Sequence, residues 1–259
     1  MVRLFTSYYR DRNDGRQAEL IDCLQRNLNL DAIDSVCVLL EGTESPFPDH
    51  PKLSTRPVSC RPKYNDFFNW ANGLVQSDTD ASVIANSDIF FDSSISALAK
   101  ALRPEQCAAL SRWDVQPDGS ARLFDRNDSQ DVWVFRGKLR PVVADFGVGI
   151  PRCDNRILHE LRSAGYEVIN PAFAVRTFHL HAGSRGEYPG EIQGLHVDRP
   201  YAYLWPHNLC SLPATLWHRW RHPEAKLAWK FDWRKLQRTL PWRIWKKVSR
   251  QLSGVSRQQ

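Results

Sequence analysis

The hydrophobic and polar positions in the first half of the chain follow two alternating patterns. Nearly continuous apolar runs, typical of strands buried on both faces, occur at 2–9, 35–42 and 81–88. Between the first two runs, apolar residues recur at helical spacing from Arg16 to Leu28, so the chain is predicted to open as strand, helix, strand. A second helix is predicted over 61–74, just before the third long strand.

The alternation of strands and helices continues along the rest of the chain, with one short strand before the second helix. A short strand is expected at 56–60, after a loop rich in Pro and Ser. Later helical patterns cover 94–102 and 155–166, and later strand patterns cover 107–114, 131–137 and part of 166–181. Strands that alternate with helices predict an α/β fold in which a mostly parallel sheet carries helices on both faces.

Charge and tryptophan set the C-terminal end apart from the rest of the chain. From Arg219 onward, twelve Lys and Arg stand against Glu224 and Asp232, a net charge of +10. The whole chain carries +6, so the remainder carries −4, and seven of the ten tryptophans lie beyond residue 200. We therefore expect a domain over residues 1–210 and a basic, amphipathic, helical tail over 211–259.

Several classes of protein are disfavoured by what the sequence lacks. There is no Gly-rich dinucleotide fingerprint after the first strand, no Walker lysine and no GxSxG elbow. The six cysteines form no CxxC pair, which argues against a zinc ribbon or a disulfide scaffold and fits a reducing cytosol. The N-terminal stretch is too polar for a signal peptide, and no apolar run of about 18 residues is present to span a membrane.

The stretch SVIANSDIFFD, residues 82–92, places polar side chains at the end of the third long strand. In open α/β sheets the ligand crevice lies at the carboxyl ends of the strands. Asp88 is expected to bind a ligand or a metal there, because Asp92 or Ser93 is better placed to cap the helix that follows.

Three other sets of polar residues are candidates for chemistry, and each has a structural alternative. Asp131 opens a strand, where an Asp is often a turn residue. Asp154 begins a helix and is either its N-cap or a general base aimed into the crevice. His179 and His181 leave the same side of a strand and are either metal ligands or ordinary surface or core histidines. Oxygen and imidazole ligands together would suit Mn²⁺ or Mg²⁺.

Taken in order along the chain, these motifs resemble those of bacterial glycosyltransferases of the GT-A fold that act in polysaccharide or O-antigen synthesis. The resemblance spans about residues 2–185 and implies a GT-A-like, Rossmann-like sheet. Its motifs are the strand end at Glu41, the Arg-x-x-Tyr helix of Arg61 and Tyr64, ANSDIFFD, SQDVWVF, the acidic helix start CDNR and His181.

The resemblance also implies roles for individual residues. The family's mid-chain motif is usually Asp-x-Asp and holds a divalent cation on the donor diphosphate, but Asn86 replaces the first Asp here and brings no charge. Asp88 and His181 are then the expected ligands of Mn²⁺ or Mg²⁺, with Asp154 as first and Asp131 as second choice of general base. The expected donor-binding residues are Glu41, Arg61, Lys63, Tyr64, Asn86, Ser87, Asp88 and Arg185. For Arg61, Lys63 and Arg185, a solvated surface charge is the alternative.

The function implied is transfer of a sugar from a nucleotide-sugar donor to a hydroxyl of a cell-surface polysaccharide or a lipid-linked acceptor. Because of Asn86, a non-catalytic GT-A-like binding or scaffold protein is the alternative.

Interleaved Trp, Lys and Arg predict that the tail binds an anionic membrane, so we expect a cytoplasmic protein peripheral to the inner face of the cell membrane. A helical extension packed on the core or on a second subunit is the alternative for the tail. Nucleic acid is not an expected partner, because the body is acidic and carries no nucleic-acid motif.

Overall fold

The computed structural model describes residues 1–47, 49–180, 196–206 and 220. All of them lie within one compact unit of the chain, Met1–Leu227. Their helices are α1 (Asp14–Asn29), α2 (Tyr64–Leu74), α3 (Ser94–Ala101) and α4 (Cys153–Ser163). Their strands are β1 (Val2–Tyr9), β2 (Ser35–Glu41), β3 (Leu53–Val58), β4 (Ala81–Ala85), β5 (Ile89–Phe91), β6 (Gln106–Leu110), β7 (Trp113–Val115), β8 (Ala121–Leu123), β9 (Val132–Arg136), β10 (Glu167–Ile169) and β11 (Thr177–His179). Apart from Trp220, the tail predicted over 211–259 lies outside the described residues.

Seven strands form the main sheet, in the order β10-β6-β9-β4-β1-β2-β3. Every neighbouring pair is parallel except the two that involve β9, which runs antiparallel to both β4 and β6. Reversal of this one strand brings its first residue to the same edge of the sheet as the last residues of its neighbours.

Apolar side chains of the strands alternate between two cores, one on each face of the main sheet. In β1, Leu4 belongs to one core and Phe5 to the other, and both are fully buried. Helices α1 and α3 contribute to the core of Leu4, whereas α2 and α4 contribute to the core of Phe5. The predicted α/β fold, a mostly parallel sheet flanked by helices, is confirmed.

A second, four-stranded sheet has the order β5-β11-β7-β8. It explains why two predicted strands are shorter than expected. The run 81–88 ends as a strand at Ala85, turns over residues 86–88 with Ile89 N–H donating to Asn86 O at 3.2 Å, and continues as β5 in the second sheet. The run 107–114 is likewise divided between β6 and β7. An apolar run does not reveal that the chain changes sheets part-way along it.

Element boundaries differ from prediction by a few residues elsewhere. The third strand spans Leu53–Val58 rather than 56–60, because Leu53 already pairs with Val36 of β2. Helix α2 begins at Tyr64 and α4 at Cys153. Across the part of the chain that the structure describes, no helix is both long and apolar enough to cross a lipid bilayer.

Candidate active site

The polar residues singled out in the sequence meet at one edge of the main sheet. Glu41 is the last residue of β2, and the turn of Asn86, Ser87 and Asp88 directly follows β4. Asp131 immediately precedes the reversed strand β9, so it lies beside the end of β4, and its backbone O accepts a hydrogen bond from Asn86 N–H at 3.1 Å. This edge is where an open α/β sheet places its ligand crevice.

Two adjoining crevices open along this edge. The first crevice, of about 250 Å³, is lined by Ser7, Tyr9, Arg16, Glu41, Arg61, Pro62, Asn86, Ser87, Asp88, Arg112, Asp131, Val148, Gly149 and His179. The second crevice, of about 370 Å³, is lined by Asn86, Arg112, Phe124, Arg126, Asp128, Ser129, Asp131, Gly149, Ile150, Pro151, Arg152, Cys153, Asp154, Asn155 and Tyr203. They share Asn86, Arg112, Asp131 and Gly149, so the two spaces meet at these residues.

Asp88 of the first crevice is held between the side chains of Arg16 and His179. Its Oδ2 accepts from Arg16 Nη2 at 2.5 Å and lies 3.2 Å from His179 Nε2. The other oxygen, Oδ1, is buried and has no hydrogen-bond partner among the described residues. Burial alone would raise the pKa of Asp88, but His179 and Arg16 outweigh it and hold that pKa well below its usual range. Asp88 is therefore an anion at neutral pH, with one oxygen left uncompensated.

His179, the last residue of β11, connects Asp88 to a second carboxylate. Its Nδ1 lies 2.8 Å from Asp114 Oδ1 of β7, and its side chain is only 3% exposed. Burial lowers the pKa of His179, but the hydrogen bonds to Asp114 and Asp88 more than offset that effect, so the pKa is raised. The imidazole is thus fixed in orientation from both of its nitrogens.

Arg112 links this group of residues to Asp131. We call the connected side chains of Arg16, Asp88, His179, Asp114, Arg112 and Asp131 the charged series. Its Nε donates to Asp114 Oδ1 at 2.8 Å, and its Nη1 donates to the two carboxylate oxygens of Asp131 at 3.2 and 3.3 Å. Asn86 Nδ2 donates to Asp131 Oδ1 at 3.0 Å. Nη2 of Arg112 is buried and has no hydrogen-bond partner in the described chain. The amide of Asn86 therefore serves here as a donor to Asp131, a contact that a carboxylate could not make.

Asp154 lines the second crevice from the first turn of α4. The residue before the helix, Arg152, has a left-handed backbone with φ of 70°, and no side chain caps this helix end. Burial is the largest effect that raises the pKa of Asp154, and the negative charge of Asp131 raises it further. Hydrogen bonds from Cys153 and the Gln130 N–H, and the positive charge of Arg112, lower the pKa. The net result is a pKa well above the ordinary value of an aspartic acid. A carboxyl group with a raised pKa binds a proton more tightly than an ordinary carboxylate does, which suits it to act as a proton acceptor.

Two of the predicted donor-binding residues, Lys63 and Tyr64, do not line either crevice. Lys63 is exposed and forms a surface ion pair with Asp145 at 2.9 Å. Tyr64 is fully buried in the core, and its ring centroid lies 5.0 Å from that of Trp133. The prediction that Tyr64 contacts the donor directly is therefore wrong. Its helical spacing marked a core face rather than a binding face. His181 and Arg185 lie outside the described residues.

Three residues of the charged series were not among the predicted site residues: Arg16, Arg112 and Asp114. The sequence did carry a signal for the last two, because both interrupt the apolar run CAALSRWDV. Arg16 had no such signal, since a charged residue in the first turn of an amphipathic helix is ordinarily solvated. His179 was considered together with His181, and in the structure it is His179 that faces Asp88.

The residues around Asp88 offer a carboxylate oxygen of the kind that Mn²⁺ and Mg²⁺ prefer as a ligand. Asp88 presents a buried oxygen with no partner, and the Nε2 of His179 lies beside its other oxygen. The second nitrogen of His179 is bound by a carboxylate, as is usual for metal-ligating histidines. The described residues contain no group of three or more His, Cys, Asp or Glu side chains able to hold a metal by themselves.

Neither a protein-family model nor a curated protein sequence matches the chain. Solved structures are similar to it at low identity. One is a mannosyltransferase from Pyrobaculum calidifontis in complex with GDP-Man and Mn²⁺, 13% identical, with a TM-score of 0.46 over 72% of this chain and 58% of that chain. Another is GalNAc-T7 with UDP, GalNAc and Mn²⁺, 7% identical, with a TM-score of 0.46 over 73% of this chain and 45% of that chain.

A third similar structure comes from Bacillus anthracis, is assigned as a glucose-1-phosphate thymidylyltransferase and was solved in complex with a sucrose. It is 9% identical, with a TM-score of 0.42 over 66% of this chain and 87% of that chain. The present chain thus spans 58% and 45% of the length of the first two structures.

Proposed function

We propose that the protein is a nucleotide-sugar-dependent glycosyltransferase. One observation carries the proposal. The two crevices that meet at one edge of the sheet are lined by polar residues from three distant parts of the sequence. These are Asn86 with Asp88, then Asp131, and then Asp154. A two-substrate transfer needs such a pair of adjoining spaces, with anion-binding groups in one and a proton acceptor in the other.

The first crevice is proposed to bind the donor. Arg16, Arg61 and Arg112 line it and can neutralise the negative charge that develops on a leaving diphosphate. Asp88 and His179 would hold a divalent cation, Mn²⁺ or Mg²⁺, which supplies further charge neutralisation when it is bound. Arg61 donates to the carbonyl oxygen of Gly149 at 3.2 Å, which positions its guanidinium beside the space that the two crevices share.

The second crevice supplies the general base. Asp154, once deprotonated, accepts the proton of an acceptor hydroxyl as that oxygen bonds to the anomeric carbon. The bond from the anomeric carbon to the diphosphate breaks, and the diphosphate leaves with the electron pair. The raised pKa of Asp154 makes it a stronger base than an ordinary carboxylate. Asp131 is the second choice for this role, because Arg112 and Asn86 already occupy its oxygens.

The proposal is tested by screening UDP-, GDP-, dTDP- and CMP-sugars by thermal shift, with and without Mn²⁺. A ligand at 100 times its Kd should stabilise the protein by about 2.7 kcal/mol. The variant Asp88→Asn should lose the shift, whereas Asp22→Asn, which alters an exposed carboxylate bonded to Arg26 on α1, should keep it. Absence of a shift with every nucleotide sugar would contradict the proposal. Nucleotide binding without hydrolysis or transfer would instead favour the non-catalytic alternative that Asn86 suggests.

The acceptor is proposed to be a cell-surface polysaccharide or a lipid-linked saccharide, reached from the cytoplasmic face of the membrane. This part rests on the sequence of the tail, whose twelve Lys and Arg and interleaved tryptophans favour an anionic surface. The specific test is binding of the full chain to anionic liposomes at low and at high salt.

A further inference from the structure

One residue in the wall of the second crevice, Tyr203, belongs to a segment that we call the strap, residues 197–204. Leu204 N–H donates to Asn127 O and Ala202 N–H donates to Asn155 O, both at 2.9 Å. Two buried amides return the contact: Gln130 Nε2 donates to Leu204 O at 3.1 Å and Asn155 Nδ2 donates to Ala202 O at 3.2 Å. Ala202 and Leu204 of the strap are therefore each held through both the backbone N–H and the carbonyl oxygen.

Apolar contacts fix the ends of the strap. Val197 and Leu204 are 7% and 3% exposed and belong to the core that α2 and α4 share. The residue between the anchored Ala202 and Leu204 is Tyr203, which lines the second crevice. The buried side chains of Gln130 and Asn155 thus form hydrogen bonds that hold a tyrosine in the crevice that the candidate base Asp154 also lines.

The lining of the second crevice combines hydrogen-bond donors, acceptors and apolar surface. Asp128, Ser129 and Asn155 offer acceptor oxygens, and Arg126 and Arg152 offer donors. The guanidinium of Arg126 is matched by Asp128, with two bonds of 2.7 Å. Apolar surface comes from Phe124, Ile150 and Tyr203. Saccharide hydroxyls both donate and accept, and saccharide C–H faces pack on apolar rings, so this lining suits an uncharged saccharide.

Building on the proposed function, we infer that the second crevice is the acceptor subsite and that it takes an uncharged, hydroxyl-rich saccharide against Tyr203. Its volume of about 370 Å³ lies within the range of ligand pockets, roughly 300–1,000 Å³. A hydroxyl bound there lies beside Asp154 and faces the donor through the space bounded by Asn86, Arg112 and Asp131, which both crevices share.

The test measures saccharide binding directly, by ligand-observed NMR on the full chain. The probes are methyl glycosides of glucose, galactose, mannose and N-acetylglucosamine, with methyl glucuronide as the anionic comparison. Each is titrated with and without the nucleotide that gives the largest thermal shift. We expect Tyr203→Ala and Asp128→Asn each to weaken binding of the neutral glycosides at least tenfold. Tyr201→Ala is the matched control, because Tyr201 lies on the same strap and lines neither crevice.

The outcomes separate this inference from the proposed function. If the wild-type protein binds a nucleotide but no neutral glycoside, or binds the glucuronide in preference, the acceptor assignment is overturned. It is also overturned if glycoside binding is indifferent to Tyr203→Ala and Asp128→Asn, since the ligand then sits elsewhere. Failure to bind any nucleotide sugar contradicts the donor site alone, and the NMR titration still decides the second crevice.

Discussion

Replacing Arg112 by methionine should destabilise the protein by leaving a buried carboxylate without its partner. The side chains of Arg112 and Asp131 are each only 6% exposed, and Nη1 of Arg112 bonds both oxygens of Asp131. Methionine keeps most of the length and apolar surface of the arginine stem, including contact with Phe124, over which the guanidinium lies at 4.2 Å. The substitution therefore removes chiefly the charge and the hydrogen bonds.

The expected loss follows from the burial of this pair. Breaking a buried ion pair by removing one partner costs about 3–5 kcal/mol, because the remaining charge is neither solvated nor paired. In proteins of this size, 1 kcal/mol shifts the melting temperature by about 2–4 °C. Arg112→Met should thus lower the melting temperature by roughly 6–20 °C.

Denaturant unfolding of three further variants identifies the cause. Arg122→Met, at an exposed position of β8, should change the free energy of unfolding by no more than about 0.5 kcal/mol. The double variant Arg112→Met with Asp131→Asn should be more stable than Arg112→Met alone, because the buried charge of Asp131 is then removed together with its partner. Asp131→Asn by itself completes the cycle. If Arg112→Met costs less than about 1 kcal/mol, or if the second substitution recovers nothing, the buried-charge explanation is wrong.

Three other predictions concern the site and the tail. Asp154→Asn should lower kcat by about 10²-fold or more. Because the raised pKa of Asp154 means that the folded state holds its proton more tightly, the stability that this group contributes is complete at acidic pH and is lost as pH rises through the folded pKa. The advantage of Asp154→Asn in free energy of unfolding should therefore grow with pH, and a constant difference would contradict the shift. Asp88→Ala should abolish transfer, as measured by release of nucleotide, and near-normal turnover would remove Asp88 from the site. Full-length protein should float with phosphatidylglycerol liposomes at low salt and less at high salt, whereas a chain ending at Pro213 should not float at all; full-length protein that stays soluble at low salt would rule out the membrane assignment.

The fold could be predicted because its signals are local. Buried runs such as Val36–Leu40 and the helical spacing of Leu20, Leu24 and Leu28 reflect burial that every residue of the element shares. The crossing of the chain from β4 into β5 gave no such signal, because Ile89 and Phe91 are as apolar as the strand before them. Which sheet a strand joins depends on partners that are distant in sequence, here β11.

The candidate site was predictable at the ends of strands and much less so on helices. Asp88 was singled out because a carboxylate after a buried strand has few structural uses. Its partner Arg16 was missed because the contact depends on how α1 lies on the sheet, which no local pattern encodes. Tyr64 shows the reverse error: its place in a family-like motif suggested a ligand contact, but the ring is fully buried. Sequence identified the residue types, and packing determined which of them face the crevices.

The reversed strand β9 has a consequence for how the protein folds. In the described chain it alone hydrogen-bonds both β4 and β6, so it joins the group β10-β6 to the group β4-β1-β2-β3. When Arg136 of β9 pairs with Ala81 of β4, a long loop is closed. Closing this loop costs conformational entropy before the new contacts stabilise the structure, so such non-local pairing is slow. Asp131, directly before β9, reaches Asn86 only when that step is complete. A partly folded chain with the N-terminal strands paired would therefore contain Asp88 but no assembled reaction centre, and recovery of activity on refolding should lag behind recovery of secondary structure.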